Sequence, residues 1–75
     1  MLPVQCKMAR VALGLGIREL AALAKVAPAT VSRLEAGEDL KERTVADIRA
    51  ALESAGVLFI DANGGGPGVR LREPA

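Results

Sequence analysis

The sequence of 75 residues predicts a single, mainly α-helical domain of four short helices, followed by a C-terminal β-hairpin. Three observations support this fold class. Alanine dominates a hydrophobic content of 51%, and Phe59 is the only aromatic residue, a composition that favours closely packed helices. Glycine and proline divide the first 56 residues into short segments with apolar residues at helical spacing. After Gly56 the spacing becomes that of β-strands.

The first two helices are predicted over about 3–13 and 17–25. Pro3 suits the first turn of a helix, and Gly14 suits the position just past a helix end. Four apolar residues at i, i+4, i+7 and i+8 predict the apolar face of the first helix: Val4, Met8, Val11 and Ala12. The second helix is expected to pack through Leu20, Ala21, Leu23 and Ala24.

The third helix is predicted over 28–36 and the fourth over about 45–55. Pro28 begins the third helix and Gly37 ends it, with Val31 and Leu34 facing inward. A polar loop follows, and Thr44 is expected to cap the fourth helix. The inner stripe of that helix consists of Val45, Ile48, Ala51, Leu52 and Ala55.

The segment 57–72 is predicted to form the hairpin. Residues 57–60 are a continuous apolar run of β-favouring type, and 69–72 alternate apolar with charged residues. Between them, residues 63–68 are rich in glycine and form a turn. Residues 73–75 are expected to be a frayed tail.

The second and third helices have the residue types that a DNA-reading pair of helices requires. Two steeply crossing helices need a small residue at the crossing, and Ala21 suits it. The short turn needs an apolar side chain that packs inward, and Val26 supplies one. The outward positions of the third helix are small or polar, so that helix is able to approach base edges in a major groove.

These segments resemble the XRE family, the phage-repressor and Cro type of helix-turn-helix. The residues that carry the resemblance are Arg18-Glu19-Leu20-Ala21-Ala22-Leu23-Ala24-Lys25-Val26 and Thr30-Val31-Ser32-Arg33-Leu34-Glu35-Ala36-Gly37. The resemblance covers about residues 4–56. It implies a lambda-repressor-like bundle in 3–56, which the predicted hairpin of 57–72 follows. It also implies a sequence-specific DNA-binding transcriptional regulator, and for so small a chain repression is the default expectation.

The resemblance assigns roles to individual positions. The residues that match base-reading positions are Pro28, Ala29, Thr30, Ser32 and Arg33. Arg33 is expected to donate two hydrogen bonds to guanine O6 and N7, which contributes about 1–3 kcal/mol of discrimination against other bases. Arg10 and Glu35 match an ion pair that orients the first helix on the third. The expected phosphate contacts are the backbone at Ile17 and the side chains of Arg18, Lys25, Lys41 and Arg43.

Three positions depart from the family pattern. Gly16-Ile17 stands where members often have Ser-Gln, so a glutamine contact is lacking. Lys25 stands where glycine is usual and a left-handed backbone is often required. Ala27 replaces the serine or threonine that caps the recognition helix, and its methyl group accepts no hydrogen bond.

The hairpin predicts a homodimer, because an isolated two-stranded hairpin is marginally stable and its first strand is apolar on both faces. The expected interface residues are Val57, Leu58, Phe59, Ile60, Val69 and Leu71. A two-fold dimer would read a palindromic operator with half-sites about 34 Å apart. The alternative is an antitoxin or adaptor whose main role is protein–protein interaction through the hairpin edge.

Other functions are not expected. The sequence has no histidine and one cysteine, Cys6, which is expected to be a small buried residue, so neither an enzyme nor a metal or cofactor site is predicted. It has no apolar run of membrane-spanning length and no secretory signal. A single cysteine suits a reducing cytosol, so a cytoplasmic protein is expected. The net charge of +1 neither indicates nor excludes a nucleic-acid partner.

Overall fold

In the computed structural model, which describes residues 1–72, four helices precede a two-stranded antiparallel sheet. Their bounds are α1 Pro3–Ala12, α2 Ile17–Ala24, α3 Pro28–Glu35, α4 Glu42–Ser54, β1 Val57–Ile60 and β2 Gly68–Leu71. The predicted fold class, a lambda-repressor-like helical bundle with a C-terminal hairpin, is confirmed. The expected tail, 73–75, lies outside the described residues.

The core lies where α2, α3 and α4 meet beneath α1 and the hairpin. Its largest fully buried side chains are Leu20, Val31, Ile48, Leu52, Val57 and Cys6. Every helix and the first strand contribute at least one of these residues. Small residues at the contacts, Ala9, Ala21 and Ala24, let the helix backbones approach closely.

The apolar face predicted for α1 is not the face that is buried. Val4 and Val11 are 53% and 62% exposed, whereas Gln5, Cys6 and Ala9 are buried. Counting apolar residues selected the more hydrophobic side of the helix. The structure instead buries the side with small residues, because α1 packs closely on both α3 and β2.

Gln5 is the one buried polar side chain among the described residues, and it connects α1 to the hairpin. Its Nε2 donates to the carbonyl oxygens of Ile60 and Gly68, each over 3.1 Å. Its Oε1 accepts from the N–H of Leu2 over 2.8 Å, at the start of α1. These bonds compensate the desolvation of the amide and fix the hairpin against α1.

The fourth helix begins three residues earlier than predicted. Lys41 is its N-cap residue, and the N–H of Val45 donates to the Lys41 carbonyl over 3.1 Å. Thr44, the predicted cap, lies inside the first turn. Glu42 in that turn places a negative charge at the positive end of the helix dipole, which favours the earlier start.

The two strands pair with Val57 opposite Leu71 and Ile60 opposite Gly68. The odd-numbered side chains of both strands face the core: Val57 is buried, and Phe59, Val69 and Leu71 are partly buried against it. Leu58 and Ile60 face outward and are 44% and 38% exposed. Of the six residues expected at a dimer interface, four therefore pack within their own chain and two remain on the surface.

Candidate nucleic-acid interface

The α2–α3 pair is joined by a turn of three residues that depends on a left-handed backbone. Lys25 has φ 59° and ψ 44°. This left-handed conformation costs lysine more free energy than it would cost glycine. The N–H of Val26 then donates to the Ala21 carbonyl over 3.0 Å. This bond ends α2 and leads the chain into α3.

The start of α3 lacks a side-chain cap. Ala27 is the N-cap residue with an extended backbone, φ −70° and ψ 145°, and Pro28 occupies the first helical position. The N–H of Thr30 donates to the Ala27 carbonyl over 2.9 Å. Pro28 has no N–H to satisfy, so it partly compensates for the missing cap.

One side of α3 anchors the helix and the other is exposed. Val31 is fully buried and Leu34 is 4% exposed, which fixes the rotation of the helix about its axis. With that rotation, the expected base-reading residues lie on the outer surface. Pro28, Ala29, Ser32 and Arg33 are exposed, and Thr30 is half-buried.

Arg33 makes an ion pair that the sequence analysis did not predict. Its Nε lies 3.2 Å from Glu38 Oε1, and both side chains are more than half exposed. Glu38 follows Arg33 by five residues, which is not the spacing of neighbours on a helix. The turn at Gly37, with φ +89°, brings the two side chains together.

The ion pair between Arg10 and Glu35 that the resemblance implies is present in the structure. Arg10 Nε donates to Glu35 Oε2 over 2.8 Å, and Nη2 donates to Oε1 over 2.9 Å. Both side chains are largely buried, with 13% and 9% exposed. The hydrogen bonds lower the pKa of Glu35 and raise that of Arg10. The pair therefore holds α1 on α3.

Cys6 lies beside this ion pair. It is fully buried, and its thiol donates to Glu35 Oε2 over 3.6 Å. Burial, and after it the Glu35 carboxylate, raise the pKa of the Cys6 thiol to about 12. The thiol is thus protonated at neutral pH, which suits a packing role and not a nucleophile.

The side chain of Glu19, which belongs to α2 itself, partly occupies the N-terminus of that helix. The N–H of Gly16 donates to Glu19 Oε1 over 2.9 Å, which places a carboxylate where a phosphate was expected to approach the backbone at Ile17. The side chain of Ile17 packs against the core, and Arg18 is exposed. A glutamate three residues after a helix cap is a recognised sequence signal, so Glu19 was predictable.

The other cations expected at phosphates lie at helix ends and are exposed. Lys25 follows α2, Lys41 precedes α4, and Arg43 lies in the first turn of α4. Acidic residues alternate with them, namely Glu38, Asp39 and Glu42. The electrostatic field here is consequently mixed, and the positions of single cations matter more than total charge.

Residues 1–72 contain no group of three or more side chains suited to holding a metal ion. Within the same residues, no helix combines the length and apolar character that crossing a membrane requires.

Residues 7–56 match a family model described as helix-turn-helix. The match covers two thirds of the chain and includes α2, the turn, α3 and α4 in full. No curated protein matches the chain.

Proposed function

Because this chain belongs to the XRE/Cro-type helix-turn-helix family of DNA-binding transcriptional regulators, we propose that it reads a palindromic operator as a homodimer. In this proposal α3 enters the major groove, and the bound dimer represses transcription. Repression is the simplest action, since a bound dimer blocks access to the DNA it covers.

The observation that carries the proposal is the two-sided character of α3. Val31 and Leu34 anchor one side in the core, while small and polar side chains occupy the exposed side. Pro28 and Ala29 are suited to contact a thymine methyl group, and Arg33 to fork onto guanine O6 and N7. A helix with no nucleic-acid partner does not require this combination of rigid anchoring and short exposed side chains.

The proposed phosphate contacts flank that helix. Arg18 and Lys25 lie at the two ends of α2, and Lys41 and Arg43 lie at the start of α4. Cations in these positions would bracket the reading helix and set its register on the duplex. The backbone at Ile17 contributes in this proposal only if Glu19 moves away from the N-terminus of α2.

The proposed homodimer uses the outward face of the hairpin. Leu58 and Ile60 are exposed there, and Gly68 opposite Ile60 has no side chain to cover it. In a two-fold dimer each copy would present one α3, so two half-sites about 34 Å apart would be read together.

The test is selection from a random DNA library with the purified protein, followed by titrations at several salt concentrations. Enrichment of an inverted repeat is the expected result. Weak, salt-sensitive binding without enrichment would contradict sequence-specific regulation and favour the antitoxin or adaptor role through the hairpin.

Arg33→Ala tests base reading directly. We expect affinity to fall by about 5- to 150-fold for each half-site, the equivalent of about 1–3 kcal/mol, so that the two copies of a dimer together lose about 2–6 kcal/mol on the operator, while affinity for random DNA changes little. Arg49→Ala is the control, because Arg49 is a partly exposed arginine that also pairs with a glutamate, Glu53, but lies on α4. Its guanidinium stacks over the Phe59 ring at 5.0 Å, so thermal unfolding of the variant shows whether the hairpin is perturbed. Equal losses on operator and random DNA would mean that Arg33 contacts only phosphate.

A further inference from the structure

The exposed side of α3 changes its chemical character along the helix. Ser32 and Arg33, in its second half, present a hydroxyl group and a guanidinium to solvent. Val31 and Leu34 are buried, which fixes the rotation of the helix and keeps its outer residues accessible. At the start of the helix, three consecutive exposed residues carry only methyl or methylene groups: Ala27, Pro28 and Ala29.

The backbone adds few hydrogen-bond donors at this apolar end. Pro28 has no N–H, and the N–H of Thr30 already donates to the carbonyl oxygen of Ala27 over 2.9 Å. Ala27 is the N-cap residue, and its methyl group stands where a side-chain oxygen is usual. A base edge that meets the start of α3 therefore finds mainly apolar surface.

The chemistry of the major groove limits what such a surface is able to read. The C5-methyl group of thymine is the apolar feature that an ordinary base pair presents there. Side chains without donors or acceptors form no hydrogen bonds with the nitrogen and oxygen atoms of a base edge. Any discrimination by the start of α3 must therefore come from contact with a methyl group.

We propose that Ala27, Pro28 and Ala29 form a methyl-reading edge, which selects pyrimidines that carry a C5-methyl group. Arg33 selects a guanine in the same half-site. The inference rests on the proposed reading of DNA by α3 and names the base chemistry that the helix recognises. It does not depend on whether one or two copies bind.

The spacing of Ala29 and Arg33 sets how far apart the two contacts lie. Residues four apart share one face of a helix, with Cβ atoms about 5–6 Å from each other. Successive base pairs are about 3.4 Å apart along the duplex. The methyl-bearing pyrimidine and the guanine should therefore be separated by about one to three base-pair steps.

Two bases carry the methyl group that this edge selects, thymine and 5-methylcytosine. They differ in the neighbouring group, which is an oxygen acceptor in thymine and an amino donor in cytosine. Alanine and proline side chains pair with neither group, so the edge should accept both bases. Uracil has the hydrogen-bonding groups of thymine and lacks the methyl group, so it should be rejected.

The test is selection by the full chain from three random duplex libraries. The first is ordinary DNA, the second has uracil in place of thymine, and the third has uracil in place of thymine and 5-methylcytosine in place of cytosine. Ordinary DNA should yield a half-site with a thymine close to a guanine, and the uracil library should show no preference at that thymine position. In the third library the same position should become 5-methylcytosine, because only cytosine carries the methyl group there.

Titrations of a selected duplex measure the size of the contact. Uracil in place of the selected thymine of one half-site should weaken binding about fourfold, the equivalent of about 0.8 kcal/mol for one buried methyl group. Ala29→Ser should remove most of this discrimination, because a hydroxyl group would face the methyl group. Ala36→Ser is the matched control, since Ala36 is an exposed alanine at the other end of α3, and it should retain the discrimination. Thermal unfolding shows that both variants are folded.

The libraries separate failure of the inference from failure of the proposed function, and they do so without altering the protein. The same half-site from ordinary and uracil DNA would overturn methyl reading and leave sequence-specific binding intact. No enriched half-site from any library would overturn the proposed function, and methyl reading with it. Discrimination against uracil that survives Ala29→Ser unchanged would overturn the assignment of the contact to the start of α3.

Discussion

At the scale of single residues, the arginine that α3 presents for base reading already forms an ion pair in the free protein. Arg33 is paired with Glu38 over 3.2 Å in the free protein, and both are well exposed. An exposed pair of this kind contributes at most about 1 kcal/mol, so DNA is able to displace it. Glu38 also brings a negative charge close to the proposed DNA backbone.

Glu38→Gln is expected to raise affinity for operator and random DNA alike, by about 1.5- to 5-fold at low salt. The substitution removes the competitor for Arg33 and a charge that repels phosphate. Fluorescence titrations with both duplexes measure the effect, and Glu53→Gln, which affects the exposed pair with Arg49, is the control. A lower affinity would instead show that Glu38 holds Arg33 in its reading position.

The buried pair of Arg10 and Glu35 predicts a pH dependence of stability. Hydrogen bonds from Arg10 lower the pKa of Glu35 below its ordinary value of 4.5. A carboxylate with a lowered folded-state pKa contributes stability above its ordinary pKa, and that contribution is lost as the pH falls through the folded value. The free energy of unfolding should therefore decrease below about pH 4.5.

Urea unfolding between pH 7 and pH 3 measures this effect. Glu35→Gln should be less stable at pH 7 and should depend less on pH than the unaltered protein. Asp61→Asn, at an exposed carboxylate outside the helices and strands, is the control and should retain most of the dependence. Parallel curves for Glu35→Gln and the unaltered protein would show that other carboxylates govern acid unfolding.

At the scale of elements, glycine and proline defined most helix ends correctly. Pro3 and Pro28 begin helices, and Gly37 follows the end of α3 with a positive φ. The start of α4 was wrong because a favourable cap, Thr44, was preferred to the charge of Glu42 in the first turn. Local rules of similar strength compete at such an end, and each contributes about 1 kcal/mol or less.

The turn between α2 and α3 predicts a stabilising substitution. Lys25 adopts φ 59°, which costs a residue with a Cβ atom more than it costs glycine. Lys25→Gly should raise the free energy of unfolding by about 0.5–1 kcal/mol, after the greater entropy of glycine in the unfolded chain is subtracted. Thermal unfolding measures it. Lys41→Gly, at φ −58°, is the control and should not stabilise the protein.

At the scale of the whole molecule, the proposed reading surface and the proposed dimer surface are built from different elements. α2, α3 and the start of α4 carry the first, while the hairpin carries the second. Gln5 and Arg10, on one helix, connect them by binding the hairpin and α3 respectively. The distance between the two α3 helices of a dimer would therefore depend on how α1 packs against the hairpin and α3.

The salt dependence of DNA binding tests the arrangement as a whole. Each phosphate contact that is lost should reduce the slope of log affinity against log salt by about 0.9, so Lys41→Ala should reduce it by about 1.8 in a dimer. Arg49→Ala should leave the slope unchanged. A reduction near 0.9 for Lys41→Ala would show that one reading head, not two, engages the DNA.

The sequence by itself determined the helix-turn-helix, the order of the elements and the residues on the exposed side of α3, and its resemblance to the XRE family implied the left-handed position at Lys25. The order of the elements and the exposed side of α3 follow from local rules, since glycine, proline and apolar spacing act over one or two turns of helix. Tertiary structure alone decided which side of α1 is buried, the partners of Gln5 and the pairing of Arg33 with Glu38. Each depends on elements distant in sequence or on a turn that local spacing does not describe. Burial follows from how closely backbones approach and which polar groups find partners, not from hydrophobicity alone.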